Sequence, residues 1–181
     1  QTTFVVEDSK KISTQEELEE CLMLDKAFTI ILKAEGEVNF VIPKGDYSNK
    51  KLVVFAPKAT VNNEGLFQLI EIRSLKQWNE SRKDNKFSML SSTTITVNED
   101  AYANFIINRT GLVLKYVMNG NARFELKKPS TLQLDGTTKN ALEVNVNSKN
   151  VIIQTKLPVT LLAEEIVQLE LQSDAAAKST F

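Results

Sequence analysis

The densest grouping of side chains able to hold a ligand is a basic run around the single tryptophan: Arg73, Lys76, Arg82, Lys83 and Lys86 flank Trp78. An indole face stacks on a sugar ring, and guanidinium and ammonium groups pair with carboxylates or sulfates. Arg73, Lys76, Trp78, Arg82 and Lys83 are therefore the candidate ligand-binding residues, with an acidic glycan as the ligand they suit. The competing reading folds Trp78 back on neighbouring backbone and leaves the charges to solubilise the segment.

Catalytic chemistry is poorly supplied. The chain contains no histidine and one cysteine, Cys21, so it lacks the usual proton shuttle, a thiolate zinc site and an intramolecular disulfide. A serine nucleophile would need a lysine base, and Ser88, Ser91 and Ser92 near Lys86 lie in no nucleophile elbow. Carboxylates at Asp46, Glu71, Glu99, Asp100 and Asp135 are scattered, while Glu164 and Glu165 point to opposite faces of any strand. No calcium loop and no glycine-rich phosphate cradle occurs. The expectation is no enzyme, no cofactor and no bound metal. Lys plus Arg total 22 against 23 Asp plus Glu, which leaves no field of one sign to attract nucleic acid.

Positioning falls mostly to strands. One helix is predicted over residues 14–24, opened by a capping box in which Ser13 precedes Glu16. Leu18, Cys21, Leu22 and Met23 or Leu24 form its apolar stripe. From Phe28 the period becomes two, as in Val38-Phe40-Ile42, Ile95-Val97, Phe124-Leu126 and Leu142-Val144-Val146. Turn formers such as Asn62-Asn63-Glu64-Gly65, Asn119-Gly120-Asn121 and Asp135-Gly136 separate the runs.

A longer period runs through these strands. Ile95 and Val97 align with Phe124 and Leu126, then with Val151 and Ile153; Phe105 and Ile107 align with Leu132 and Leu134, then with Val159 and Leu161. Steps of about 27 residues imply an all-β parallel β-helix, a solenoid of about five coils with three strands each. The helix then caps the first coil. Residues 74–86 break the rhythm and read as an inserted loop, and 174–181 as a tail or linker to the single domain of residues 1–173. An antiparallel β-sandwich is the alternative that the same alternation permits.

The run Gly45-Asp46-Tyr47-Ser48-Asn49-Lys50-Lys51-Leu52-Val53-Val54-Phe55-Ala56-Pro57, with Ala59-Thr60-Val61-Asn62-Asn63 after it, resembles coils of bacterial surface proteins built on right-handed β-helices. These include adhesin-like proteins and relatives of polysaccharide lyases. The resemblance spans about residues 38–72 and brings no catalytic motif. It implies an exported, surface-associated protein.

No apolar run reaches the length of a membrane span. A chain that opens on Gln1, rich in Thr and Asn, fits a mature secreted or cell-surface form whose signal peptide is gone. The functional expectation is a structural or adhesion module that presents loops to a glycan or a protein partner. A carbohydrate-active enzyme on the same scaffold, lyase-like, is the alternative.

Overall fold

The computed structural model describes residues 8–81, 93–110, 113–171 and 179–180. Strand β1 (Ser9–Ile12) leads into helix α1 (Gln15–Met23), then β2 (Thr29–Lys33) and the long extended run β3 (Asn39–Glu80). After these come β4 (Thr94–Val97), β5 (Tyr102–Ile107), β6 (Val113–Met118), β7 (Asn121–Leu126), β8 (Thr131–Gly136), β9 (Leu142–Val146), β10 (Val151–Thr155), β11 (Val159–Ala163) and β12 (Val167–Leu171). Every pairing between these strands is parallel. That excludes the antiparallel sandwich, and the chain is a β-solenoid of about eight turns.

Each turn contributes one strand to each of two faces. The first face stacks β4, β6, β8, β10 and β12; the second stacks the end of β3 with β5, β7, β9 and β11. The repeat is shorter than the expected 27. Tyr102 faces Asn121, 19 positions on, and Val113 faces Thr131, 18 positions on. Only the coil containing residues 81–93 is longer, with Gln77 facing Asn104, 27 positions on.

The register also corrects the expected alignments. Ile95 pairs with Ile70 and Tyr116, not with Phe124, and Phe105 pairs with Trp78 and Phe124, not with Leu132. A step of 27 to 29 advances one and a half coils and lands on the opposite face. Inward residues of both faces carry the same apolar, period-two signature, so alternation alone does not distinguish two half-turns from three.

The core is a set of inward columns. Ile95, Tyr116 and Leu134 stack on the first face, and Trp78, Phe105, Phe124 and Val144 on the second, all buried. Phe105 and Phe124 stack at 5.2 Å between centroids, and Tyr116 meets Phe124 edge-on at 5.0 Å, both favoured ring geometries. Each such side chain removed from water contributes about 1.5–3 kcal/mol. No coil closes a core alone, so this gain appears only on stacking.

Helix α1 starts one residue later than the capping box predicted. Thr14, extended at φ −122°, is the N-cap and its hydroxyl accepts the Glu17 N–H at 3.2 Å. The Glu17 carboxylate accepts from the Thr14 hydroxyl at 3.0 Å and the Ser13 N–H at 3.3 Å. Ser13 and Thr14 are both competent caps, and the partner three residues on decides between them. Leu18, Cys21 and Leu22 are buried as the stripe required, while Met23 is 86% exposed.

At the other end, Thr180 pairs in parallel with Thr160, and its N–H donates to Val159 O at 2.8 Å. This isolated bridge lies within the stretch 174–181 expected to be a tail or linker. No helix among the described residues is long and apolar enough to cross a membrane.

Candidate functional site

The structure divides the predicted binding residues. Ser74–Glu80 form no inserted loop; they complete β3, with Leu75 and Trp78 buried. Trp78 is 0% exposed and packs inward, because strand alternation sets it in the column above Phe105. Its indole is closed to a ligand in solvent. Arg73 lies over the Phe55 ring at 5.1 Å and pairs with Glu71 at 3.1 Å, while Lys76 is exposed. Arg82, Lys83 and Lys86 lie outside the described residues.

Trp78 belongs to a polar cluster inside the solenoid that sequence reasoning missed. Its Nε1 donates to Glu80 Oε2 at 3.1 Å, and Asn63 Nδ2 donates to both oxygens of the same carboxylate at 3.2 and 3.1 Å. Arg109 approaches Glu80 Oε1 at 3.5 Å, with side chains 9% and 4% exposed. Burial pushes the nearby Tyr116 hydroxyl well above its ordinary pKa, and the Glu80 charge adds to the shift while Arg109 opposes it. A charge at an inward strand position is tolerated only with such partners. The available signal was Glu80 at an even offset from the apolar Leu75-Trp78 run.

One groove, of about 310 Å³, lies on the outside of the second face. Glu37, Val38, Asn39, Lys58, Thr60, Asn62, Lys76 and Asn79 line it. Its floor is a chain of amides. Asn62 Nδ2 donates to Asn39 Oδ1 at 2.6 Å, Asn79 Nδ2 to Asn62 Oδ1 at 2.7 Å, and Gln77 Nε2 to Asn79 Oδ1 at 2.8 Å. Stacked coils bring these residues together although 17 to 23 positions separate the asparagines.

An amide in such a chain has a second N–H and a second oxygen lone pair for a ligand. Lys58 and Lys76 line this groove with one carboxylate, Glu37, so the described lining is net positive. Of the predicted residues that the structure describes, Lys76 alone is on it. Asn39, Lys58, Thr60 and Asn62 come from coils that sequence spacing did not connect.

Among the described residues no three His, Cys, Asp or Glu side chains converge on a point that could hold a metal ion. Cys21 is buried in α1, and desolvation raises its thiol pKa, which keeps it a poor nucleophile. No family model matches the chain, and no curated protein or solved structure matches it.

Proposed function

We propose that this chain is a non-catalytic binding module whose outer groove holds an acidic glycan. One observation carries the reading: an amide ladder of Asn39, Asn62 and Asn79 runs along the coils with Lys58 and Lys76 beside it. Amides recognise sugar hydroxyls and lysines pair with sulfate or carboxylate groups, and the stacked coils hold both rigidly. Among the described lining residues Glu37 is the one carboxylate, whereas glycoside hydrolysis needs two facing carboxyl groups. This favours binding over hydrolysis, and unsaturated products would mark the lyase-like alternative.

The module acts as an exported or cell-surface structural and adhesion domain, where a partner's glycans are displayed. The solenoid is taken as a right-handed parallel β-helix, the sense that parallel crossover connections overwhelmingly adopt. Helix α1 serves as its N-terminal cap. Gln15 supports this role, because its side chain accepts the Val41 N–H at 2.9 Å and donates to Val41 O at 2.8 Å, as a further strand would.

Titration with heparin-derived and oligogalacturonate hexasaccharides tests the reading, with Lys58→Ala/Lys76→Ala alongside the wild type. Saturable binding that weakens about tenfold or more in the double variant, and weakens with salt, is expected. Equal affinity in both proteins overturns the groove assignment. Release of shortened or unsaturated products from either hexasaccharide overturns the non-catalytic reading.

A further inference from the structure

The coils that follow the lysine groove carry different chemistry at their corners. Gln77 pairs with Asn104, so β5 follows the end of β3 directly on the second face. There a second groove, of about 450 Å³, crosses three successive corners and is lined by residues 99–101, 119–121 and 137–140. Its side chains are mainly hydroxyls, amides and charges of mixed sign: Glu99 and Asp100 against Lys139. Where the first groove is net positive, this one is not.

Beside it stands Tyr102, 54% exposed, the one aromatic side chain exposed to that degree among the described residues. Tyr102 pairs in register with Asn121, which lines the groove, so the two side chains are neighbours on the outer surface. The corners are held rigidly. Gly120 N–H donates to Val97 O at 3.1 Å, Asn121 N–H to Ala101 O at 2.9 Å, and the Thr137 hydroxyl to Asn119 Oδ1 at 3.0 Å. Asn121 Oδ1 accepts the Ala122 N–H at 2.9 Å, which leaves its Nδ2 as a donor.

An exposed ring set beside an array of hydroxyls and amides suits a sugar, whose C–H face packs on an aromatic and whose rim hydroxyls need both donors and acceptors. Glu99 and Asp100 disfavour an anionic ligand. We infer that the Tyr102 corner is a second saccharide site, specific for uncharged oligosaccharides. Successive corners lie about 4.8 Å apart along the coil axis, so a linear chain laid along that axis meets polar side chains at each step: carboxylates at 99–100, amides at 119 and 121, hydroxyls, an ammonium and an amide at 137–140. The assignment is independent of the lysine groove, since it uses other residues and ligands without acid groups.

Titration of the full chain with cellohexaose, xylohexaose, mannohexaose and chitohexaose, followed by calorimetry, tests it. At least one should bind saturably; Tyr102→Ala should weaken that binding about tenfold, while Tyr102→Phe, which keeps the ring, should retain it. Thermal melts of both variants guard against misfolding, because an exposed position should leave Tm unchanged. No saturable binding of any of the four at millimolar concentration overturns the inference, as does equal binding by wild type and Tyr102→Ala. Neither outcome touches the acidic-glycan reading, which is tested with charged probes.

Discussion

The Trp78 indole donates its N–H to the carboxylate of Glu80, two residues along the same strand, and both side chains point into the core. Inward positions of a solenoid normally hold apolar residues, so this pair needs the surrounding donors from Asn63 and Arg109. Replacing Arg109 by Ala should destabilise the fold by about 3–5 kcal/mol, because it strands a buried charge. Glu80→Gln with Arg109→Met should cost less than the two single losses added together. Urea unfolding of Arg109→Ala, Glu80→Gln, Arg109→Met and the double variant measures both, and additive effects would show that the pair is uncoupled.

Trp78 is the sole tryptophan, which makes its environment directly readable. Native emission should be blue-shifted and resist acrylamide quenching, and both properties should vanish together on unfolding. Red-shifted, readily quenched emission from the native protein would contradict its inward placement.

Gln15 links α1 to the edge of β3 through both polar backbone groups of Val41. Gln15→Ala should destabilise by about 1 kcal/mol. It should also raise the tendency to associate, since an unpaired strand edge accepts other strands. Light scattering beside a thermal melt reads both effects, and an unchanged profile would assign the two bonds no role.

Gly120 and Gly36 offer a paired test of corner packing. A Cβ on Gly120 would lie 2.0 Å from Asn98 O and 2.5 Å from Ala101 O, both backbone atoms, whereas a Cβ on Gly36 meets nothing within 4 Å. Gly120→Ala should therefore cost about 1–3 kcal/mol. Gly36→Ala should stay within about 0.5 kcal/mol of wild type. Comparable losses would mean that the corners yield more readily than their close packing implies.

The Glu17 carboxyl is held below its ordinary pKa, chiefly by the Thr14 hydroxyl and then by the Ser13 N–H. A carboxyl group with a depressed folded-state pKa stabilises the fold above its unfolded pKa. That contribution fades as pH falls through the folded value. The Tm difference between wild type and Glu17→Gln should be largest near neutral pH and shrink on acidification. A difference independent of pH would rule out the carboxylate as its source.

Much of the molecule was legible in local pattern. Alternation located the strands, Leu18, Cys21 and Leu22 marked the buried helix face, and a recurrent pattern favoured a parallel solenoid over the antiparallel sandwich that the parallel ladders then excluded. The apolar alternation that suggested the repeat also concealed its length. Both faces carry the same inward apolar pattern, so a step of 27 from Phe105 to Leu132 matches inward residues as well as the true step of 19 to Phe124, and only the backbone ladder distinguishes them.

The site divides along the same line. Composition determined what kinds of contact are available: amides, lysines, few aromatics and no histidine. Which of them meet was decided by stacking, since Asn39, Asn62 and Asn79 become neighbours only when coils of unequal length close in register. The sequence could name Trp78 as an aromatic among cations; its inward direction depended on strand phase and on a buried partner at Glu80. Local propensities act over a few residues, whereas a surface groove and a buried ion pair are properties of chain segments brought together by the fold.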